Sequence, residues 1–158
     1  MNQRFLRIAQ RISHELKELK QVTQRTQEAW HRAEEFSEDL YLDAVALNLH
    51  SFYSGLERLF ELITTTIDGS QPEGANWHRV LLERMAAEVP NVRPAVISEV
   101  TREVLDEYRG FRHVVRYVYA FRFDAARMQP LVNELPDLLS RVRSELLAFS
   151  DFLKQSAS

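Results

Sequence analysis

The chain has 158 residues, 45% of them apolar, enough for one domain with a buried core. Four Gly and five Pro exclude collagen-like and low-complexity chains. The absence of Cys excludes disulfide scaffolds, thiolate metal sites and a cysteine nucleophile, and fits a reducing compartment. A net charge of −3 means that any nucleic-acid contact must be a local patch.

The N-terminus carries no apolar signal region, and no apolar run approaches the ~18 residues of a spanning helix. The longest candidate, Leu59 to Ile67, is broken by Glu61 and three Thr. These features predict a soluble cytoplasmic protein without a membrane partner.

Helical spacing dominates, and no period-two alternation lasts long enough for a sheet. Phe5, Ile8, Ile12, Leu16 and Leu19 predict a first amphipathic helix running toward Trp30. Ser37, followed by Glu38 and Asp39, reads as the N-cap of a second helix that ends at Asp68 and Gly69. Its stripe includes Leu42, Val45, Leu49, Phe52, Leu56, Leu59, Phe60 and Ile63. Residues Ser70 to Ala75 form a loop, and Asn76 caps a short third helix with Trp77, Val80, Leu81 and Met85. Pro90 and Pro94 mark a second break. Ser98 opens a fourth helix to about Phe121. A final helical third, Asp124 to about Lys154, is punctuated by Pro130 and Pro136. Its stripe is Leu138, Leu139, Val142, Leu146 and Phe149. The expected fold is an all-α, up-and-down bundle of four or five helices, one domain over 1–158.

No Gly-rich phosphate loop, HExxH or GxSxG motif occurs. The informative segment is Tyr108 to Asp124, YRGFRHVVRYVYAFRFD. Between Glu107 and Asp124 it has no acid, yet it holds Arg109, Arg112, His113, Arg116 and Arg122. Phe111, Val114, Val115 and Val118 share a core face, while Arg109, Arg112, His113, Arg116 and Tyr119 share another. Guanidinium groups match phosphate bidentately and imidazole moves protons near neutral pH, so this face suits a phosphodiester. It also suits a salt-bridged surface, with Glu57, Glu61 or Glu103 as partners. His50, Tyr53 and Glu57 share a face of the second helix, as a hydrogen-bond network at the rim of the core would. His78 follows Trp77 at a helix start, where capping and packing explain it equally well. His14 and His31 read as surface residues. No metal site and no cofactor are expected.

Taken in order, these residues resemble the HepT-like ribonuclease toxins of the HEPN superfamily. The resemblance rests on Tyr108-Arg109-Gly110-Phe111-Arg112-His113 with Arg116 and Tyr119. It also rests on His50, Tyr53, Glu57 and Arg58, on Asp68-Gly69, on Trp77-His78-x-x-Leu81-Leu82-x-x-Met85, and on Arg93-Pro94. It covers roughly His50 to Asp124. It implies a homodimeric helical bundle in which an Arg-x4–6-His motif near the dimer interface builds one RNA-cleaving cleft. It implies metal-independent cleavage by attack of the ribose 2′-hydroxyl on the adjacent phosphate. It also implies a neighbouring nucleotidyltransferase antitoxin, MntA, which transfers AMP onto a Tyr two residues after the motif His.

The toxin motif is Arg-x4-His-x-Tyr. Here Arg112 and Tyr119 match, but the His position holds Tyr117. A phenol with a pKa of about 10 is a poor proton shuttle at neutral pH. His113 lies one turn before Tyr117 and can take that role. Two readings follow. In the first, the chain is an endoribonuclease toxin with Arg112, His113, Arg116 and Tyr117 at its catalytic site. Arg109, Arg112 and Arg116 then bind RNA phosphate, Tyr119 is the adenylylation acceptor, and His50, Tyr53, Glu57 and His78 form the supporting polar network. In the second, it is an inactive HEPN-like helical module that docks a protein or nucleotide. No base-stacking platform like that of an RNA-recognition motif is visible in the sequence.

Overall fold

A computed structural model describes residues 2–119 and 122–158, and 81% of these described residues are helical. In order come α1 (Gln3–Phe36), α2 (Leu40–Ile63) with a π-helical turn at Thr64–Asp68, α3 (Trp77–Met85), α4 (Glu99–Tyr117) and α5 (Ala125–Ala157). Among the described residues there is no strand, only an isolated bridge between Val89 and Arg93 around Pro90. The all-α bundle expected from the periodicity is the observed fold. No described helix is long and apolar enough to cross a membrane.

The stripes read from spacing face the core, with Phe5, Leu42 and Leu139 half-buried at its edge. Ile8, Ile12, Leu16 and Leu19 of α1 meet Val45, Leu49, Phe52, Leu56, Leu59, Phe60 and Ile63 of α2, with Leu138, Val142, Leu146 and Phe149 of α5 completing the core. Full burial of each such side chain contributes roughly 1.5–3 kcal/mol against the entropy of ordering the chain. α1 packs most extensively on α2 and α5, and α4 lies on α2, α3 and α5.

Three boundaries differ from the sequence reading. Ser37 does not cap α2: it ends α1 in the left-handed conformation, φ 51°. Only Glu38 and Asp39 remain before Leu40, so the corner is too tight for Ser37 to serve the second helix. Asn76 precedes α3 as expected, but its side chain makes no capping bond. α4 stops at Tyr117, where Val118 turns extended (φ −118°, ψ 138°). Phe121, the expected end, lies outside the described residues.

Pro130 and Pro136 do not interrupt α5. A proline lacks the N–H that would bond the carbonyl four residues earlier, which for Pro136 is that of Val132. Gln27 of α1 supplies the missing donor, its Nε2 lying 2.7 Å from the Val132 oxygen. One residue earlier, the buried Tyr108 hydroxyl donates to the Leu131 carbonyl at 2.6 Å.

Candidate active site on the α2 and α4 faces

α4 is anchored at its start and along its buried face. At its start, the Ser98 hydroxyl accepts from the Thr101 amide, and Glu145 of α5 accepts from the Ser98 amide (2.6 Å) and the Thr101 hydroxyl (2.7 Å). A carboxylate here also opposes the positive end of the helix dipole. Further along, Leu105, Tyr108 and Phe111 are buried. The helix is thereby held with its arginine-bearing face turned toward the polar strip of α2.

Of the expected core face of α4, Phe111 is buried, and Val114 and Val115 are half-buried against the core. Val118 is only half-buried because the helix has already ended. For the same reason helical phase no longer sets the position of Tyr119, which is 74% exposed.

The arginines differ in what surrounds them. Arg109 is paired with Asp106, three residues earlier, at 2.7 Å. Glu57, Glu61 and Glu103, the acids expected as partners, make no ion pair with any α4 arginine among the described residues. Arg112 is half-buried, and its Nε is buried with no hydrogen-bond partner. Arg116 and His113 are exposed. The His113 ring lies against that of Tyr117, with centroids 4.5 Å apart. The one-turn relation read from the sequence is therefore a direct contact, and Tyr117 is itself 71% exposed.

Facing Arg112 on α2 are His50, Tyr53, Glu57 and Glu61. His50 has its pKa lowered, first by burial and then by the charges of Arg112 and Arg116, so its neutral imidazole is favoured. Its Nδ1 is buried without a partner, and its Nε2 lies 3.4 Å from the Ser54 hydroxyl. The Tyr53 hydroxyl is buried and unpartnered, and burial pushes its pKa up. The closed network expected of His50, Tyr53 and Glu57 is thus not formed. Glu57 turns instead to α3, where its buried carboxylate accepts from His78 Nδ1 at 2.9 Å. The His78 ring in turn lies against Trp77, centroids 3.7 Å apart. Sequence periodicity gave no sign of this contact, which spans 21 positions.

A buried clamp holds the base of the site. Arg93 donates from Nε and Nη2 to the two oxygens of Asp68 at 2.7 and 2.9 Å. It also donates to the carbonyls of Ala87, Pro94 and Arg84. This joins the π-helical end of α2 to the loop after α3. Asp68-Gly69 and Arg93-Pro94, two separate pieces of the sequence resemblance, are one structural unit.

The arrangement is chemically suited to an anion, with groups able to transfer protons nearby. It offers two cations with no carboxylate partner among the described residues, and three imidazoles. Among the described residues no group of His, Asp and Glu could hold a metal ion. No curated protein and no solved structure matches the chain. The family model described as HepT-like protein matches residues 44–153, which take in α3, α4 and most of α2 and α5. With more than half of the chain matched, and with that match containing every residue of the site above, the chain belongs to the HepT-like proteins of the HEPN superfamily, a toxin-like family.

Proposed function

We propose that this protein is the ribonuclease toxin of a cytoplasmic toxin–antitoxin pair and cleaves RNA without a metal or cofactor. One observation carries the reading: Arg112 presents a guanidinium with a buried, unpartnered Nε beside Arg116, His113 and a His50 held toward its neutral form. A cation kept half-buried and without a carboxylate is costly unless an anion completes it. The phosphodiester of RNA is such an anion, and its neighbouring 2′-hydroxyl supplies the nucleophile that the chain lacks.

In the proposed step the 2′-oxygen bonds to phosphorus and the bond to the 5′-oxygen breaks. The 2′-hydroxyl proton passes to a base, and the departing 5′-oxygen takes up a proton. The products are a 2′,3′-cyclic phosphate and a 5′-hydroxyl. Arg112 and Arg116 stabilise charge on the phosphoryl oxygens, and Arg109 contributes at the edge of the patch. His113 transfers the proton, and Tyr117, stacked on it, orients its ring and donates a hydrogen bond to the phosphate. His50, Tyr53, Glu57 and His78 shape the polar wall around Arg112. Two copies meet across the exposed ends of α2 and α4, where Leu47, Tyr117 and Tyr119 are solvent-facing, and line one cleft.

Tyr119 is the proposed regulatory acceptor. Its hydroxyl attacks the α-phosphorus of ATP held by an MntA-like nucleotidyltransferase, and pyrophosphate leaves. The new phosphodiester places an anion among the arginines and competes with RNA. The test is incubation of unmodified protein with total RNA in EDTA, beside Arg112→Ala. Cleavage by the parent alone supports the reading. Intact RNA in both lanes, with an intact mass free of an adenylyl group, refutes it and leaves a helical docking module.

A further inference from the structure

Beside the Glu57–His78 bond lies a recess of about 260 Å³ lined by Glu61, Thr64, Thr65, Gln71, Pro72 and Trp77. It has three properties that the proposed cleavage chemistry does not use. Trp77 is half-buried, with its indole held against His78 and the core, so an aromatic face is fixed in the wall. The Glu61 carboxylate has no hydrogen-bond or ion-pair partner among the described residues, although the side chain is half-buried. Burial and the neighbouring Glu57 push its pKa up, as expected of a carboxylate short of donors. The recess also lies within the electrostatic reach of His78 and Arg112, both of which act on Glu61.

An aromatic face and an unpaired acceptor, near enough to an arginine suited to phosphate to feel its charge, are the elements by which single-stranded RNA bases are held. The acceptor decides which base. A carboxylate offers two oxygens side by side and no donor. Guanine alone among the four bases presents two adjacent donors on its pairing edge, N1–H and the 2-amino group. Adenine and cytosine place an acceptor nitrogen beside their amino group, and uracil flanks its one N–H with carbonyl oxygens, so each sets a lone pair against the carboxylate.

We propose that this recess is a guanine subsite, in which Trp77 stacks on the base and Glu61 accepts from N1–H and the 2-amino group. It rests on the ribonuclease reading for its substrate and would make cleavage selective for phosphates next to guanosine. Such donor-matched sites discriminate because the analogue that lacks a donor leaves part of the half-buried acceptor unpaired.

The test uses the full-length protein and two readouts. Quenching of Trp fluorescence is titrated with guanosine, inosine and adenosine monophosphates in the parent and in Glu61→Gln. Trp77→Phe identifies the Trp77 signal against that of Trp30. Inosine keeps N1–H and lacks the 2-amino group. The parent should bind the guanosine nucleotide roughly tenfold more tightly than the inosine one. Glu61→Gln should bring the two within about twofold of each other. RNA oligomers with a single G should be cut next to it by the parent and less selectively by Glu61→Gln. Equal binding of the three nucleotides, or an unchanged preference in Glu61→Gln, overturns the subsite whether or not RNA is cut. A guanosine preference that depends on Glu61, in a protein that cuts no RNA, upholds the subsite and refutes the ribonuclease reading instead.

Discussion

Replacing Arg93 with Ala should destabilise the fold by about 4 kcal/mol. The Arg93 side chain is fully buried and makes five hydrogen bonds, two to Asp68 and three to backbone carbonyls. Asp68 is itself 5% exposed at its side chain and would keep only the Thr64 hydroxyl, at 3.2 Å. Breaking a buried pair by removing one partner costs roughly 3–5 kcal/mol, since the remaining charge stays in a poor solvent. The three carbonyls add to this where water cannot reach them. At roughly 3 °C per kcal/mol for a chain of this size, the thermal midpoint should fall by about 12 °C. Urea unfolding followed by circular dichroism measures it. The double variant Asp68→Leu/Arg93→Met should lose less than the sum of the singles, because it leaves no lone charge behind. A loss below about 1 kcal/mol for Arg93→Ala, or additive singles, would refute the view that an isolated buried carboxylate dominates the cost.

Gln27→Leu should cost about 1–2 kcal/mol by orphaning the Val132 carbonyl, measured in the same unfolding assay. Gly55→Ala should change stability by less than about 1 kcal/mol. A Cβ there would come 2.5 Å from Glu15 Oε1, the movable end of a side chain, and the helix gain of about 1 kcal/mol opposes the shift. His50 has a lowered pKa in the fold, so the unfolded chain binds more protons between the folded and unfolded values. Its contribution is therefore complete above its unfolded pKa of about 6.5 and declines as pH falls toward the folded value. Melting temperatures between neutral pH and about pH 5 should fall more steeply for the parent than for His50→Gln, and parallel curves would count against this assignment. Co-expression with an MntA-like enzyme should add one adenylyl group to the parent and none to Tyr119→Phe, read by intact mass.

The buried stripes of α1, α2 and α5 were legible because helical period alone determines which residues face inward. The corner at Ser37 was misread because Ser-Glu-Asp is a good helix start on local chemistry, whereas the geometry of a three-residue connection uses Ser37 as a stop. Pro130 and Pro136 read as punctuation within a helical segment, and α5 runs through both without a break; a donor from α1 compensates one of them, which no local rule could reveal. In the candidate site, each strip was legible on its own helix: His50, Tyr53 and Glu57 on α2, and Arg109, Arg112, His113 and Arg116 on α4. Their mutual partners were not. His78 takes Glu57 and the Tyr53 hydroxyl has no partner, because such pairings depend on how α2, α3 and α4 cross; Asp106 takes Arg109 within α4 itself, an i,i+3 pairing that the reading of the arginine face left out.

The Gln27 amide on the Val132 carbonyl has a consequence for how α1 and α5 find each other. The two helices have 34 and 33 residues and meet along repetitive apolar stripes, so sliding one past the other by a turn would bury nearly the same hydrocarbon. Hydrophobic burial is nondirectional and distinguishes such alignments poorly. A displaced alignment would strand the Gln27 amide against apolar side chains and leave the carbonyl above Pro136 without a donor, a penalty of roughly 1–3 kcal/mol for each group. One proline and one glutamine, 109 positions apart in the chain, thereby act as a vernier that selects a single alignment of the two longest helices.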